Sequence, residues 1–307
     1  MPQNKDIIQK GDIIYLRSGK DWFAYNHTLR PIGSGAMGIV YRGWRIRDNL
    51  PVAVKQVVPR YAEMPGIRKR ARLEASMLFG HPNLVEMLGF CEYSHDRGPI
   101  YVISVFVKGI TLDTHISMHR MREKPDAEKR ICETFFPVLD ALDYLHSKNI
   151  IHMDVKPSNI MLENGYNIRL MDLGIANVDD VIEMTSPGVF GTPMYAAPEQ
   201  FFVSGENRLE VDKTTDLYEL GVTLYEMLTG TNPYSASTMD QIIIKHRTEV
   251  LPDAKGVSKR VLEVLRKATC KEKAGRYQSA FEFKQALQQA LQSKPSIIEK
   301  IIEKLFG

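Results

Sequence analysis

The most informative part of the sequence is the stretch HMDVKPSN, residues 152–159, together with DLG at residues 172–174. Asp154, Asn159 and Asp172 carry carboxylate and amide oxygens, which are the ligands that Mg²⁺ prefers, and a carboxylate can also accept a proton. Their spacing is one with which a metal-bound nucleotide is held during phosphoryl transfer. The stretch therefore predicts a nucleotide site in which a carboxylate accepts a proton.

The composition limits the class of protein. The chain has 307 residues, of which 44% are hydrophobic, enough for a core in one large domain or two modest ones. Its 40 Lys and Arg residues against 37 Asp and Glu residues give a net charge of +3, too small for a surface that coats nucleic acid or membranes. We expect a soluble globular protein without a nucleic-acid partner.

Cysteine usage and the apolar segments indicate the compartment. Cys91, Cys132 and Cys270 are far apart in sequence and form no C-x-x-C pair of the kind that binds zinc, which fits a reducing environment. The first residues lack the apolar core of a signal peptide, and no run of about 18 apolar residues occurs. We expect a cytoplasmic protein without a transmembrane segment.

Residues 27–107 have the pattern of a small β-rich lobe. The runs Val52–Val58 and Ile100–Val107 read as strands, and Ile67–Phe79 reads as a helix that ends at Gly80. The expectation is an N-lobe with several strands and one main helix.

Residues 108–290 have the pattern of a larger helical lobe. Glu128–Ser147 and Asp216–Leu228 repeat apolar residues every three or four positions, and Pro137 should kink the first of these helices. Together with the N-lobe, this predicts an α+β chain of two lobes.

The two ends of the chain lie outside this division. Residues 1–26 form an N-terminal extension with a strand pattern at Asp12–Leu16, and residues 291–307 predict an amphipathic helix. We expect that helix to pack on its own domain; docking to a partner or a second copy, and binding to a membrane surface, are the alternatives. Its apolar stripe consists of Ile297, Ile298, Ile301, Ile302, Leu305 and Phe306.

A glycine-rich segment, GSGAMGIV, occupies residues 33–40. Glycines let the backbone approach a polyphosphate closely and donate amide N–H groups to it, although such triplets also form simple turns. A dinucleotide-binding fold needs a helix directly after the glycines, whereas Ile39–Trp44 reads as a strand. Lys55 ends the next strand, where it is costly unless a phosphate or a carboxylate pairs it. Glu74, on the predicted helix, is the natural carboxylate.

The order of these motifs resembles that of the eukaryotic-type (Hanks-type) protein kinases, and of the bacterial serine/threonine kinases in particular. The glycine-rich loop, the Val-Ala-Val-Lys strand, the His-x-Asp loop, Asp-Leu-Gly and the Ala-Pro-Glu motif at residues 197–199 follow one another as in that family. The resemblance covers residues 27–290. It implies ATP and Mg²⁺, or Mn²⁺, as cofactors, a protein substrate with a serine or threonine acceptor, and autophosphorylation.

The resemblance also assigns roles in the reaction. Asp154 would orient the acceptor hydroxyl and take its proton as the catalytic base, and Lys156 would neutralise charge on the γ-phosphate. Asn159 and Asp172 would hold the metal ion.

Further positions would hold the nucleotide. Lys55, positioned by Glu74, would bind the α- and β-phosphates, and Thr192 would contact the catalytic base. Aliphatic side chains should enclose the adenine ring, while the backbone of Val105 and Val107 should meet its edge. The remaining nucleotide-contacting positions are Ile32, Gly33, Ser34, Gly35, Ala36, Met37, Gly38, Val40, Ala53, Ser104 and Met161.

Several matching positions have structural roles. Glu199 should pair with Arg276, and Asp216 should accept hydrogen bonds from the catalytic-loop backbone. An apolar column connecting the lobes should consist of Leu78, Met87, His152 and Leu173.

Two positions depart from the family pattern. Met153 stands where many regulated kinases have an arginine that pairs with a phosphorylated residue, so activity should not depend on phosphorylation at Thr185, Ser186 or Thr192. Ser104 is small for its position in the hinge and should leave a pocket behind the adenine.

Two other functions stay open. A pseudokinase would bind nucleotide without turnover, but Lys55, Asp154, Asn159 and Asp172 are all present. A small-molecule phosphotransferase of related fold commonly lacks the Gly-Thr-Pro and Ala-Pro-Glu segments, and this chain has both.

Overall fold

The structure is a computed structural model and describes residues 5–35, 38–57, 59–62, 68, 71–72, 80–94, 98–117, 122, 126–172, 188–189, 191–202 and 210–292. These residues form a β-rich lobe followed by a helical lobe, which confirms the expected α+β architecture of two lobes. Most of the helix predicted at Ile67–Phe79 lies outside the described residues, including Glu74 and Leu78. The other named positions outside them are Ala36, Met37, Val58, Leu173, Gly174, Thr185, Ser186 and the terminal stripe from Ile297 to Phe306.

The first lobe is built on one eight-stranded sheet in which all neighbouring strands are antiparallel. The strand order is β1-β2-β3-β5-β6-β8-β7, with β4 paired to β5. The strands are β1 (Ile7–Lys10), β2 (Ile13–Ser18), β3 (Asp21–Asn26), β4 (Gly33–Ser34), β5 (Gly38–Arg45), β6 (Pro51–Val57), β7 (Met87–Glu92) and β8 (Ile100–Val105).

The N-terminal residues belong to this sheet. The strand predicted at Asp12–Leu16 is present as β2, and β3 pairs directly with β5. This pairing depends on Gly43, because a Cβ there would lie 2.4 Å from the carbonyl oxygen of Ala24. The N-terminal strands thus close one side of the core of the lobe. That core consists of Leu16, Phe23, Tyr25, Val52, Val54, Cys91, Tyr101 and Ile103.

Within the described residues, the second lobe contains most of the helices and two short sheets, one of three strands and one of two. The described helices are α1 (Pro59–Ala62) in the first lobe and α2 (Leu112–Ser117), α3 (Ala127–Thr134), α4 (Phe136–Ser147), α5 (Lys213–Thr229), α6 (Met239–Thr248), α7 (Lys259–Ala268) and α8 (Ala280–Gln292) in the second. The remaining strands are β9 (Gly109–Thr111), β10 (Ile160–Glu163), β11 (Asn167–Leu170), β12 (Gly188–Val189) and β13 (Phe201–Phe202). None of the helices in the described ranges is long and apolar enough to span a membrane.

Pro137 divides the helix predicted at Glu128–Ser147. Helix α3 ends at Thr134, and α4 begins at Phe136 with the proline in its first turn. A proline lacks the N–H that a helix interior needs, but the N–H groups of a first turn have no intrahelical acceptor. The chain therefore meets the proline with a break between two helices instead of a kink.

Helix α5 is the scaffold of the second lobe and confirms the helix predicted at Asp216–Leu228. Asp212 caps its first turn by accepting a backbone N–H at 2.8 Å, and Gly230 ends it with a φ of 82°. The helix is buried almost all around, as expected of a core helix. Four fully buried polar side chains nevertheless lie on it, namely Thr215, Asp216, Glu219 and Thr223, and the last three are spaced three and four positions apart. Positions three and four apart share one face of a helix, so this face can bind a neighbouring backbone.

Candidate active site

The loop of residues 152–159, called the catalytic loop after the family that the sequence resembles, is anchored to α5. The groups of the loop that are held are its backbone N–H groups. The Asp216 carboxylate accepts the N–H groups of His152 at 2.9 Å and Met153 at 2.8 Å, which confirms the expected contact. It also binds Nε2 of His146 at 2.7 Å. Met153 has a φ of 64°, a conformation that non-glycine residues rarely adopt and that persists where surrounding contacts over-determine it. The anchored loop presents the next residue, Asp154, to the cleft.

Three side chains orient the Asp154 carboxylate. Its Oδ1 accepts the Thr192 hydroxyl at 2.7 Å, and its Oδ2 accepts the Lys156 ammonium at 2.6 Å and the Asn159 amide at 3.0 Å. The Lys156 ammonium also donates to the Thr192 hydroxyl oxygen. The expected contacts of Thr192 with Asp154 and Lys156 are therefore confirmed, and a flexible carboxylate is fixed in one direction.

His152 connects this loop to the strand end that carries Asp172. Burial lowers the pKa of the fully buried imidazole below its ordinary value, so the ring is neutral near pH 7. The hydrogen bonds assign the tautomer, because Nδ1 accepts the Asp154 N–H at 3.3 Å while Nε2 lies 3.1 Å from the Met171 carbonyl and donates to it. His152 is also one of the four residues predicted to form an apolar column between the lobes. Of the other three, Met87 is buried on β7.

The two predicted metal ligands are brought together by a backbone contact. The carbonyl of Asn159 accepts the Met171 N–H at 2.9 Å, which places Asp172 beside the catalytic loop. The Asn159 amide nitrogen donates to the Asp154 carbonyl at 2.8 Å, so its Oδ1 is the atom that can bind a cation. Asp172 has a φ of 52°, a further left-handed residue at the site.

Lys55 reaches Asp172 across the cleft between the lobes. Its ammonium lies 3.1 Å from the Asp172 carboxylate, of which 40% is exposed. Burial would raise the pKa of that carboxyl, but the Lys55 and Lys156 ammonium groups outweigh it and hold the pKa below the ordinary value. Asp172 is therefore ionised near pH 7 and suited to bind a divalent cation. The expected partner Glu74 lies outside the described residues.

The glycine-rich loop lies above this cleft. The N–H of Ile32 donates to the Val40 carbonyl, and that of Gly35 donates to the Gly38 carbonyl, both at 2.9 Å, so β4 and β5 form a hairpin. A Cβ on Gly38 would lie 2.7 Å from the Gln56 carbonyl oxygen, so this glycine is required by the fold. A Cβ on Gly35 would meet nothing within 4 Å, so that its backbone is open to a ligand.

The predicted adenine contacts lie where the lobes join. Ala53 on β6 pairs with Ser104 on β8, and Met161 lies on β10 of the second lobe. Val105, the last residue of β8, donates its N–H to the Glu86 carbonyl at 2.9 Å, so this one of its two backbone groups is already bound. Val107 follows in the connection between the lobes.

These residues fit a magnesium nucleotide. In the described part of the chain, no group of three or more His, Cys, Asp or Glu residues could hold a metal ion by itself. Mg²⁺ commonly takes one or two protein oxygens and completes its shell with phosphate oxygens and water. Asn159 and Asp172 provide such a partial set, and the nearby Lys55 ammonium is suited to phosphate oxygens.

The segment of residues 191–202, called the platform below, lies next to the catalytic loop. It is held by the ion pair predicted from the sequence, Glu199 with Arg276. Glu199 accepts two hydrogen bonds from Arg276, at 2.7 and 2.8 Å, and only 2% of the arginine is exposed. The guanidinium also donates to the Cys270 carbonyl at 2.7 Å and the Lys271 carbonyl at 3.0 Å. The expected ion pair is confirmed, and its buried charges are well satisfied.

Sequence reasoning missed two residues near the site. The buried side chains of Gln200 and Glu219 contact the backbone on either side of Asp154. The available signal was a carboxylate on α5 three positions after Asp216, in a segment that otherwise reads as a core helix. A buried carboxylate needs a donor, and Glu219 finds donors in the Val155 N–H and the Gln200 amide.

Comparison with known proteins identifies the family of this chain. The model of the family described as protein kinase domain matches residues 26–293. A probable serine/threonine-protein kinase PknB of Bifidobacterium longum is 36% identical over 268 residues, covering 82% of this chain and 38% of that protein. The serine/threonine-protein kinase PknB of Mycobacterium tuberculosis is 32% identical over 281 residues, covering 88% of this chain and 44% of that protein. The matched region thus spans about two fifths of the length of these relatives.

The solved structures agree on the fold. The kinase domain of Mycobacterium tuberculosis PknI has a TM-score of 0.67 and 23% identity, with 94% of this chain and 99% of that chain covered. At this identity the likeness concerns the fold alone. Since the family model extends over both lobes and the whole cleft between them, the chain belongs to the protein kinase domain family.

Proposed function

We propose that the chain is an ATP-dependent serine/threonine protein kinase with Asp154 as its catalytic base. The observation that carries the proposal is the Asp154 carboxylate itself, which Lys156, Asn159 and Thr192 orient into the cleft opposite the Lys55–Asp172 pair. The names of the relatives from Bifidobacterium longum and Mycobacterium tuberculosis support the same activity.

The residues divide the work of phosphoryl transfer between them. Asp154 accepts the proton of the acceptor hydroxyl. At the same time the hydroxyl oxygen bonds to the γ-phosphorus, and the bond from that phosphorus to the leaving oxygen of ADP breaks. Lys156, which lies 2.6 Å from that carboxylate, neutralises charge on the transferring phosphoryl group. Asn159 and Asp172 would hold Mg²⁺, or Mn²⁺, which when bound would neutralise charge on the phosphate oxygens. Lys55 holds the α- and β-phosphates.

The acceptor is a serine or threonine of a protein, including this chain itself. The contact between Lys156 and Thr192 supports this class, because it joins the catalytic loop to the Gly-Thr-Pro segment of the peptide platform. The nucleotide lies between the glycine-rich loop and Met161, with the adenine edge at Val105 and Val107.

Activity does not depend on phosphorylation at Thr185, Ser186 or Thr192. Met153 supports this, because its side chain is apolar and fully buried and therefore cannot pair with a phosphate. A double Thr185→Ala, Ser186→Ala variant should keep its rate, as should wild-type chain treated with a phosphatase. A collapse of the rate with folding intact would contradict this part of the proposal.

The proposal extends to the organisation and location of the chain. We assign catalysis to residues 27–290, divided after residue 107, with residues 1–26 as an extension that completes the sheet of the N-lobe. For residues 291–307 the amphipathic sequence pattern supports a terminal helix; of these, the structure describes residues 291–292, the last two of α8. The three cysteines are free, which supports a cytoplasmic location.

One experiment separates the candidate functions. The chain is incubated with radiolabelled ATP, Mg²⁺ and generic protein substrates, beside an Asp154→Asn variant. We expect label on protein with the wild type and none with the variant, while both bind nucleotide. Nucleotide binding without transfer by the wild type would indicate a pseudokinase, and transfer to small molecules only would indicate the related phosphotransferases. Transfer by Asp154→Asn at the wild-type rate would refute the assignment of the base.

A further inference from the structure

Gln200 and Glu219, two buried side chains without a part in the proposed chemistry, connect three elements of the second lobe. Gln200 ends the short helical turn Pro198–Gln200 of the platform, and Glu219 lies on α5. Both are fully buried, and they bind each other through Gln200 Nε2 and Glu219 Oε1 at 2.9 Å. The pair lies directly beneath the catalytic loop.

The pair binds the backbone on both sides of Asp154. Gln200 Nε2 donates to the Met153 carbonyl at 3.3 Å, and the Val155 N–H donates to Glu219 Oε2 at 2.7 Å. The residue before the base and the residue after it are therefore held by one buried network. A side-chain hydroxyl of α5 completes the attachment, because Thr223 donates to the Val155 carbonyl at 3.0 Å.

The platform is tied to the same network. The side-chain oxygen Oε1 of Gln200 accepts the backbone N–H of Ala197, the first residue of the Ala-Pro-Glu motif, at 2.5 Å. At the other end of the segment, Gly191 packs so closely that a Cβ would lie 2.6 Å from the Met153 carbonyl oxygen. Thr192, which follows it, donates to Asp154. The platform segment 191–202 and the catalytic loop are thus one packed unit.

The network has a fixed direction of donors and acceptors. Ala197 N–H and Val155 N–H are backbone donors that cannot change, so Gln200 must turn its oxygen to the first and Glu219 must offer an oxygen to the second. The amide of Gln200 then donates to the other oxygen of Glu219. If glutamine replaced Glu219, its NH₂ group would face either the Val155 N–H or the NH₂ group of Gln200. One of these two buried donors would then lose its acceptor.

We propose that Gln200 and Glu219 are positioning residues that clamp the platform segment 191–202 to the catalytic loop and so hold Asp154 in its reactive orientation. This inference rests on the proposed kinase function and adds a means of positioning to it. In many regulated kinases the residue before the base would be an arginine that pairs with a phosphorylated residue. Here the clamp acts from inside the lobe and needs no phosphate.

The test exchanges the two side chains in the full chain. Glu219→Gln alone leaves one buried N–H donor of the network without an acceptor. In the double variant Glu219→Gln, Gln200→Glu, the Ala197 N–H and the Val155 N–H both have an acceptor again. The new amide at position 219 can also donate to the new carboxylate at position 200. We expect the single variant to lower kcat at least about tenfold, with the KM for ATP and the Kd for a non-hydrolysable ATP analogue within about twofold of wild type. The double variant should recover most of that loss, although it leaves the Met153 carbonyl without its donor.

A structural control and a second measurement make the result decisive. Thr269→Val removes a buried hydroxyl that donates to Leu265 and does not contact the loop, so it should lower the melting temperature while kcat stays at the wild-type value. Amide hydrogen exchange over residues 152–156 should speed up in Glu219→Gln and slow again in the double variant.

The outcomes distinguish the clamp from the activity. An unchanged kcat in Glu219→Gln, or a double variant whose losses simply add, would overturn the clamp. If the wild type transfers no phosphoryl group, the proposed function fails, but the exchange rates still decide the clamp: equal rates in all variants overturn it, and restored protection in the double variant supports it.

Discussion

Removing residues 1–26 should unfold the N-lobe, although the family model begins only at residue 26. The deletion takes away β1, β2 and β3 and with them three large, fully buried side chains: Leu16, Phe23 and Tyr25. Complete burial of such a side chain contributes roughly 1.5–3 kcal/mol, so the deletion loses roughly 5–9 kcal/mol. A natural domain is stable by only about 5–15 kcal/mol. The loss is therefore comparable to the whole stability of the lobe.

Thermal unfolding measures this, with nucleotide binding as a second readout. We expect the shortened chain to lack a cooperative unfolding transition of the N-lobe and to bind ATP poorly. Phe23→Ala should cost about 3–5 kcal/mol in the full chain. Ile8→Ala is the matched control on the edge strand, since Ile8 is 36% exposed and its truncation should cost no more than about 0.5 kcal/mol. An unchanged melting temperature after deletion of residues 1–26 would refute the reasoning.

Three further predictions concern the second lobe and the hinge. Arg276→Ala leaves Glu199 buried without its partner and should cost about 3–5 kcal/mol; a fall in kcat at an unchanged melting temperature would contradict this. If the small Ser104 leaves the pocket that we expect behind the adenine, Ser104→Met should abolish sensitivity to bulky purine-analogue inhibitors, and unchanged inhibition would refute the pocket. Burial, with help from Arg276, lowers the pKa of Lys271 from 10.5 to about 8. Between about pH 8 and 10.5, Lys271 is protonated in the unfolded chain and largely deprotonated in the folded chain. The unfolded chain then binds more protons, so the free energy of unfolding should rise with pH above about 8. Lys271→Met should flatten that rise in denaturant titrations at pH 7.5–9.5, and parallel curves for both proteins would disprove it.

The site was more predictable than the fold around it because catalysis needs particular residue types at short spacings. Asp154, Lys156 and Asn159 lie within one loop, so their proximity follows from the sequence alone, and the structure joins them by direct hydrogen bonds. Thr192 and Asp172 are distant in sequence, and only resemblance to a family could place them beside that loop.

The N-terminal strands show what local patterns do not reveal. Gly11 and Gly19 both have positive φ at the hairpin turns, and a glycine between two short alternating runs is a readable turn signal. That β3 pairs with β5 is a tertiary fact, because it depends on Gly43 lying beneath the Ala24 carbonyl. Glycine spacing alone does not distinguish a close approach of two strands from a simple turn.

The backbone that carries Asp154, the proposed catalytic base, is held chiefly by one helix. Asp216, Glu219 and Thr223 follow one another on one face of α5, and each binds a different part of the backbone between residues 152 and 155. These contacts come from a core helix, whose position is set by packing on every side. The proposed independence from phosphorylation requires an attachment of this kind, because the buried, apolar Met153 side chain cannot pair with a phosphate.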